Sequence, residues 1–284
     1  MWRGIIQLMD IKTLKTLLID GDGVLWLANE PVSGLNSLFN ALTARGIDWA
    51  LLTNNATHLP ETYIDKLGRF GVTARPDQVF TSSTVTARYL LDQFGPGSGV
   101  YVLGAPALVT VLRRSGLNAC SGEERPDFPI AAVVVGLDRD VSYQRLTIAT
   151  LLIRSGVPFI GTNPDKTIPI PEGLAPGAGT FIAAGQAATD VEPVIIGKPE
   201  PTMFEVALRY FGAEPGTTAM LGDRLETDIL GAQRVGLGTI AVLTGVTTRE
   251  EIDQSNYKPD FVFDSIAELA NALEPVLAGE VGTE

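Results

Sequence analysis

The sequence predicts an α/β fold whose core is a doubly wound, mainly parallel sheet. Short apolar runs that end in Gly, Asp, Thr or Asn alternate with segments of helical period over nearly the whole chain, and this alternation begins anew near residue 83. A chain of 284 residues is also long enough to divide into domains. We expect a discontinuous core of residues 1–82 and 187–284, with a second α/β domain of residues 83–186 inserted between its two parts.

The first part of the predicted core begins with a buried strand that stops at Asp20. Gly46 and Gly71 mark the ends of the two helices that follow, and Pro60 suits the first turn of the second helix. The predicted elements of this part are the strand 14–19, the helix 33–45, the strand 47–52 and the helix 60–70.

The same alternation continues through the inserted domain and back into the core. In the inserted domain it predicts strands 100–103, 130–135 and 157–160 and helices 107–115 and 143–155. A Gly/Pro-rich loop over residues 161–179 and a short helix are expected to lead back to the core. The second part of the core is predicted to hold strands 194–196, 218–221, 239–243 and 261–263 and helices 201–211, 227–235 and 266–273.

The composition limits the partners and the location of the protein. A formal net charge of −12 argues against binding to a nucleic-acid backbone. The single cysteine, Cys120, excludes an intramolecular disulfide and a cysteine-based metal site, which favours a reducing cytoplasm. The opening residues 1–6 are too short in apolar length for a secretory signal, and no stretch approaches the roughly 18 apolar residues that span a membrane. We therefore expect a cytoplasmic protein without a nucleic-acid or membrane partner.

Polar side chains gather where the predicted strands end, which is the edge at which open parallel sheets bind ligands. They are Asp20, Asp22, Thr53, Asn54, Asn55, Lys198 and Asp223. Carboxylates are the hard oxygen ligands that Mg²⁺ prefers, and a carboxylate can also attack phosphorus as a covalent nucleophile. A lysine, a hydroxyl and backbone N–H groups can offset the charge of a bound phosphoryl group. These residue types in this arrangement predict phosphoryl-transfer chemistry.

The same residues resemble the four motifs of the haloacid dehalogenase (HAD) superfamily, in the order that the superfamily uses. The resemblance is carried by Asp-Gly-Asp-Gly-Val at 20–24, Leu-Leu-Thr-Asn-Asn at 51–55, Gly-Lys-Pro at 197–199 and Gly-Asp-Arg-Leu-Glu-Thr-Asp at 222–228. A domain inserted between the second and third motifs, with Gly-Thr-Asn-Pro-Asp at 161–165, is similar to the large-capped NagD / p-nitrophenyl phosphatase branch. The inserted domain is therefore expected to be a cap.

This resemblance implies a Mg²⁺-dependent phosphomonoester hydrolase with a phospho-aspartyl intermediate, for which p-nitrophenyl phosphate would be an artificial substrate. It implies Asp20 as nucleophile and metal ligand, and Asp22 as general acid and base that also binds the metal through its main-chain carbonyl. Asp223 is implied as a further metal ligand, and Asp228 either supports the metal from behind or holds Lys198. Mn²⁺ is expected to replace Mg²⁺ to some degree.

The other side chains implied by the resemblance bind the phosphoryl group. Thr53, the N–H of Asn54, Asn55 and Lys198 would contact its oxygens, and Gly21 would let the backbone bend close to it. Two residues on the cap, Asp165 and Lys166, are either substrate contacts or simply exposed side chains.

Each motif alone also has an ordinary structural interpretation. Asp-Gly-Asp-Gly can be a turn, Thr-Asn-Asn can end a strand or cap a helix, Lys198 can be a surface lysine and Asp223 a helix cap. A calcium-binding EF-hand is excluded because Pro31, not Glu, stands at the twelfth position counted from Asp20. The combination of all the motifs in order favours catalysis.

Two alternatives to a phosphatase stay open on the sequence, and a third, a dehalogenase, is disfavoured. A haloacid dehalogenase proper would not need Asp22 together with Asp223. A phosphotransferase or mutase shares the covalent step, and an inactive phosphometabolite sensor would be expected to lack one of the charged residues. The expected partner is a small phosphorylated metabolite, and a homodimer formed through the cap is compatible with the sequence.

Overall fold

The computed structural model describes residues 9–274, so the opening residues considered above lie outside it. The strands are β1 Thr16–Ile19, β2 Trp26–Leu27, β3 Glu30–Pro31, β4 Asp48–Thr53, β5 Val79–Thr81, β6 Gly99–Leu103, β7 Asn118–Cys120, β8 Ala132–Val135, β9 Phe159–Gly161, β10 Thr167–Ile170, β11 Gly173–Pro176, β12 Val194–Ile195, β13 Thr218–Gly222, β14 Gly238–Val242 and β15 Phe261–Phe263. The α-helices are α1 Leu35–Ala44, α2 Pro60–Arg69, α3 Ser82–Phe94, α4 Pro106–Arg114, α5 Tyr143–Arg154, α6 Ala178–Thr189, α7 Pro201–Phe211, α8 Leu230–Arg234, α9 Arg249–Gln254 and α10 Ile266–Leu273.

The chain forms two compact units. The first takes in the residues up to Ala50, Leu67–Thr73 and the residues from Leu208 onward, and the second takes in Leu51–Lys66 and Ala74–Ala207. These bounds differ from those of the predicted domains, so the division into a core of residues 1–82 and 187–284 and a cap of residues 83–186 stays a prediction.

The first unit is built on a sheet with the strand order β15-β14-β13-β1-β4. Strands β1, β13, β14 and β15 pair in parallel, and the register sets Ile19 beside Leu221. Every residue of β1 and β13 is buried, which explains their nearly continuous apolar sequences. Because the two strands end at the same level, the polar residues that follow them leave the sheet at one edge.

The second unit contains the end of β4, which pairs in parallel with β5, and a separate sheet in the order β12-β9-β8-β6-β7. All pairs of this second sheet are parallel. Side chains of β6, β8 and β9 form an apolar core with α5 and α6, around Tyr101 and Phe159. The prediction of an α/β fold with mainly parallel sheets is therefore confirmed.

The Gly/Pro-rich loop predicted over residues 161–179 is wrong in its middle part. Strands β10 and β11 form an antiparallel hairpin there, with Thr167 opposite Pro176 and Ile170 opposite Gly173. Prolines are tolerated because both strands of a two-stranded ribbon are edge strands, where a missing N–H need not break a ladder. The composition suggested a loop, whereas the chain pairs with itself across a short turn.

The predicted helix over residues 227–235 is also corrected. It consists of a single π-helical turn, Leu225–Ile229, followed by α8. Two helices that the sequence analysis did not predict, α3 and α9, both begin with a threonine whose hydroxyl accepts a hydrogen bond from the third residue of the helix. Among the described residues, no helix combines the length and the apolar character needed to cross a bilayer.

Candidate active site

The loop after β1 presents Asp20 and Asp22 at the edge of the first sheet. Asp20 is half-buried and its N–H donates to the carbonyl of Leu221 at 2.9 Å, which continues the β1–β13 pairing by one residue. Asp22 is exposed, and its Oδ1 accepts a hydrogen bond of 2.9 Å from Nε1 of Trp26. The indole of Trp26 is 1% exposed and lies against Gly21, where a Cβ atom would collide with the ring. Gly21 is therefore required by packing, in addition to its predicted role near the phosphoryl group.

Three carboxylates of the first unit come together at this edge. Asp20, Asp223 and Asp228 each offer an oxygen within 4.8 Å of the others, and the last two are fully buried. The side chain of Asp22 is not in this group, which is consistent with the prediction that Asp22 would bind a metal through its main-chain carbonyl. Asp228 lies as close as the other two, whereas the sequence analysis expected it behind the metal ligands or beside Lys198.

The loop after β14 holds the carboxylate of Asp223 in place. Oδ2 of Asp223 accepts from the N–H of Val246 at 2.8 Å, and the carbonyl of Asp223 accepts from the N–H of Thr247 at 3.1 Å. A Cβ atom on Gly23 or on Gly245 would collide with this same oxygen. The two glycines are the close walls of the carboxylate, and Gly23 also has a φ of 84°, which favours glycine.

The π-helical turn aims Asp228 at the same place. The N–H of Asp228 donates to the carbonyl of Arg224 at 3.0 Å, and its Oδ2 accepts from the N–H of Arg224 at 3.2 Å. A Cβ atom on Gly222 would collide with the Asp228 side chain, so the carboxylate packs directly on the end of β13. Single π turns are frequent at functional sites, because the extra residue turns a side chain that a regular helix would point elsewhere.

The donor set fits a hard divalent cation. It consists of carboxylate oxygens alone, without sulfur or imidazole, and such sets suit Mg²⁺, Mn²⁺ or Ca²⁺ better than Zn²⁺. Three clustered carboxylates would repel one another strongly unless a positive charge stood near them. The residues at this edge can therefore hold a divalent metal ion.

The second unit contains the other predicted site residues. Thr53, the last residue of β4, is buried and its Oγ1 accepts from the N–H of Asn55 at 3.2 Å. Oδ1 of Asn55 accepts from both the N–H and the hydroxyl of Thr57 at 2.7 Å, so this side chain shapes the turn that leads to α2. Lys198 is 2% exposed and its Nζ donates to the carbonyl of Leu52 at 2.9 Å. Lys198 is thus buried and is not a surface lysine.

Asn54 lies at the centre of the polar contacts in this unit. Its Oδ1 accepts from the N–H of Lys198 at 2.8 Å, and its Nδ2 donates to the carbonyl of Lys198 at 2.9 Å. Nδ2 also lies 3.2 Å from Oδ2 and 3.4 Å from Oδ1 of Asp165. Asp165 is half-buried, whereas Lys166 is exposed.

Three residues that contact the candidate site residues were not among the predicted site residues. One is Trp26, whose indole donates to Asp22. Asn163 and Ser82 both donate to the carbonyl of Asn54. The available signals were the four-residue spacing from Asp22 to Trp26 and the place of Asn163 in the Gly-Thr-Asn-Pro-Asp motif at 161–165, and neither identifies the partner.

Comparisons with known proteins identify the family of the chain. A profile of haloacid dehalogenase-like hydrolases matches residues 17–118, and a profile described as HAD-hydrolase-like matches residues 195–269. An acid sugar phosphatase of Staphylococcus aureus is 39% identical over 264 residues, which cover 93% of this chain and all of that protein.

Solved structures show the same likeness. A 4-nitrophenylphosphatase from Thermotoga maritima superposes with a TM-score of 0.85 at 36% identity, covering 93% of this chain and 99% of that one. A glycerol phosphate phosphatase from Mycobacterium tuberculosis in complex with calcium gives a TM-score of 0.81 at 31% identity, covering 91% of this chain and 75% of that one.

The chain has parallel sheets with carboxylates after the ends of their strands. Together with these matches, this arrangement defines a hydrolase of phosphate esters. The chain belongs to the haloacid dehalogenase-like hydrolase family, among relatives that include the NagD-like p-nitrophenylphosphatases. It is a phosphatase that hydrolyses phosphomonoesters.

Proposed function

We propose that this phosphatase depends on Mg²⁺, acts on small phosphorylated metabolites and forms a covalent aspartyl phosphate, which is an acyl phosphate, on Asp20. The observation that carries the proposal is the group of three carboxylates, Asp20, Asp223 and Asp228, at the edge of the sheet. Bound there, a divalent cation would offset the negative charge of the phosphoryl group. Asp20, the main-chain carbonyl of Asp22 and Asp223 are proposed to hold it, with Asp228 adjacent.

The chain's own residues divide the reaction into two steps. In the first, a carboxylate oxygen of Asp20 attacks phosphorus, the ester P–O bond breaks, and Asp22 gives its proton to the departing oxygen. In the second, Asp22 takes a proton from a water molecule whose oxygen attacks the same phosphorus, which frees Asp20 and releases inorganic phosphate. Thr53, Asn54, Asn55 and Lys198, with the backbone at Gly21, are proposed to hold the phosphoryl oxygens.

The names of two relatives support the proposed substrate class. One is named an acid sugar phosphatase and another a glycerol phosphate phosphatase, and both names refer to phosphate esters of small hydroxyl-bearing compounds. The latter was solved with calcium, a hard cation of the same class as Mg²⁺.

We propose a cytoplasmic enzyme without a nucleic-acid partner, in keeping with the net charge of −12 and the single cysteine. A homodimer through the predicted cap is a further proposal, which the mass in solution would test.

Two carboxamide variants test the mechanism. Asp20→Asn lacks the nucleophile, so we expect no phosphoenzyme and a loss of nearly all turnover. Asp22→Asn keeps the nucleophile but lacks the proton donor and the base, and we expect a loss of about 10²–10⁴ on alkyl phosphates. Because no base then activates water, the phosphoryl group should persist on the peptide that contains Asp20, as mass spectrometry of acid-quenched protein would show.

Two outcomes would overturn this mechanism. A phosphoryl group on another residue would exclude Asp20 as nucleophile, and normal turnover by both variants would exclude the covalent route. Transfer of phosphate to an added alcohol or sugar in preference to water would instead identify a phosphotransferase. A panel of sugar phosphates, glycerol phosphate, phosphoglycolate and nucleoside monophosphates would define the substrate.

A further inference from the structure

Asn54 recognises both polar groups of the Lys198 main chain. Its Oδ1 accepts from the Lys198 N–H and its Nδ2 donates to the Lys198 carbonyl, at 2.8 and 2.9 Å. Gly197 allows this approach, because a Cβ atom there would lie 2.6 Å from Oδ1 of Asn54. The side chain of Lys198 then reaches the carbonyl of Leu52, two residues before Asn54. The position of Lys198 therefore depends on the orientation of one side-chain amide.

A carboxylate on the neighbouring loop fixes that orientation. Asp165 accepts from Nδ2 of Asn54 through both oxygens, at 3.2 and 3.4 Å. If the Asn54 amide were rotated by 180°, its oxygen would lie beside the Asp165 carboxylate and the Lys198 carbonyl. All of these oxygens are acceptors, so no hydrogen bond could form between them. The backbone of Asn54 is held as well, because its carbonyl accepts from Asn163 at 2.7 Å.

The loop that carries Asp165 is itself anchored. The N–H of Asp165 donates to Oδ1 of Asn163 at 3.2 Å, and the carbonyl of Asp165 accepts from the N–H of Gly179 at 2.9 Å. The start of α6 packs directly on this loop, since a Cβ atom on Gly177 or Gly179 would collide with the carbonyl of Asp165 or of Pro164. The carboxylate is thus presented to Asn54 by a well-fixed backbone.

We propose that Asp165 is a positioning residue for phosphate binding, which acts through Asn54 on Lys198. This inference rests on the proposed function and deepens it, because it assigns Asp165 to the phosphoryl group common to all substrates. The alternative is that Asp165 contacts the leaving group of particular substrates. The two roles differ in one measurable respect, since inorganic phosphate has no leaving group.

The experiment compares inorganic phosphate with a panel of esters in Asp165→Ala protein. Loss of one hydrogen bond to a charged acceptor should weaken product inhibition by inorganic phosphate by about 5- to 30-fold. The values of kcat/KM for sugar phosphates, glycerol phosphate and p-nitrophenyl phosphate should fall by a common factor, so that their ranking stays the same. Asp165→Asn retains an acceptor oxygen and should recover most of the affinity for phosphate.

Glu172→Ala is the matched control, because it removes an exposed carboxylate from the turn of the β10–β11 hairpin in the same segment. We expect it to change neither phosphate inhibition nor the ranking. If Asp165→Ala is unfolded by circular dichroism, Asp165→Ser takes its place in the comparison. Unchanged inhibition by phosphate in a folded variant would overturn the inference, whether or not the ranking of esters changes.

Failure of this inference can be distinguished from failure of the proposed mechanism. The affinity of each protein for inorganic phosphate is measured directly by calorimetric titration in the presence of Mg²⁺. An Asp22→Asn enzyme that traps no phosphate on Asp20 would contradict the mechanism, yet a weakened phosphate affinity in Asp165→Ala would still support the positioning role.

Discussion

Contacts within the loop after β1 fix the direction of the Asp22 carboxylate, the proposed general acid and base. Asp22 is exposed, and an exposed carboxylate usually samples several rotamers. Here the buried indole of Trp26 donates to its Oδ1 at 2.9 Å and restricts that freedom. Because Trp26 also packs on Gly21, the same ring fixes the backbone of the loop and the direction of the carboxylate.

Trp26→Phe should therefore affect proton transfer more than binding. Phe retains an apolar ring but no N–H donor, so Asp22 would be less well directed toward the leaving group. We expect kcat/KM for an alkyl phosphate to fall by about tenfold, while kcat/KM for p-nitrophenyl phosphate, whose leaving group needs little protonation, changes much less. Steady-state assays of both esters measure this difference.

Trp49→Phe provides the control, since Trp49 packs edge-on against Phe39 at a centroid distance of 4.7 Å and carries no proposed catalytic role. Both esters should respond alike in that variant. An equal loss on the two esters in Trp26→Phe would mean that Trp26 supports the loop only and does not direct Asp22.

The sequence indicated most of the candidate site residues but few of their contacts. Asp20, Asp223 and Lys198 follow strands and belong to compact local motifs, so their positions along the chain were enough. The contact of Asn54 with Asp165 joins residues that are 111 positions apart, and no local pattern indicates such a pair. The sequence therefore left Asp165 between substrate contact and simple exposure.

The strand β6 shows how burial within a single element changes the pKa of a side chain. Its middle residue, Tyr101, is fully buried and its hydroxyl donates to the carbonyl of Gly122 at 2.7 Å. Burial raises the pKa of Tyr101 to about 12, because the phenolate would lose its hydration. The nearby guanidinium of Arg145 acts in the opposite direction and does not reverse this shift.

This raised pKa predicts a loss of stability in alkali. Below the unfolded-state pKa of about 10, Tyr101 is protonated in both states and costs nothing. Between about pH 10 and 12 the unfolded state releases its proton first, so the free energy of unfolding should fall by up to roughly 3 kcal/mol. Urea denaturation at pH 9 and pH 11.5 measures this change, which reaches about 2 kcal/mol by pH 11.5, and Tyr101→Phe should show a fall smaller by that amount. Parallel falls in the two proteins would contradict the assignment.

The elements that the sequence misjudged share a physical cause. The glycines and prolines of residues 161–179 indicated a loop. Strands β10 and β11 nevertheless pair there, and as a two-stranded ribbon they need no further strand beside them. A helix was predicted over residues 227–235, but the structure has a π-helical turn at Leu225–Ile229, within which Asp228 packs on Gly222. In both places short-range pairing and packing, which composition and helical period do not reveal, accompany the observed backbone.

At the scale of the whole molecule, the binding of a metal should be visible in stability as well as in activity. A ligand that binds only the folded state stabilises it by about 2.7 kcal/mol at a concentration 100 times its Kd. We expect added Mg²⁺ to raise the melting temperature of the wild-type protein by several degrees. A chelator should abolish both this rise and the activity, and Mg²⁺ or, in part, Mn²⁺ should restore them.

Two carboxamide variants separate the acidic edge from general charge effects. Asp223→Asn removes a member of the carboxylate group, so its melting temperature should no longer respond to Mg²⁺. Asp253→Asn removes an exposed acid of α9 and should respond as the wild-type protein does. Full turnover of the wild-type enzyme in excess chelator would exclude a metal at this site.

The overall fold was predictable because one pattern recurs along the chain. Buried strands such as β1 and β13 are apolar on both faces, and parallel strands need crossover helices, so their alternation with helices predicts an α/β protein. The order β15-β14-β13-β1-β4 was not predictable, since neighbouring strands such as β1 and β13 are separated by about 200 residues of sequence.

The hairpin of β10 and β11 has a closed base, because the N–H of Gly177 donates to the carbonyl of Lys166 at 2.8 Å. Its two ends are therefore held together independently of what lies between them. Hairpins of other lengths and sequences can replace residues 167–176 at a modest cost in loop-closure entropy, since that cost grows only slowly with length. This segment is accordingly a place where a library of grafted peptides can be displayed, or where natural variation can accumulate, with little effect on the neighbouring contact between Asp165 and Asn54.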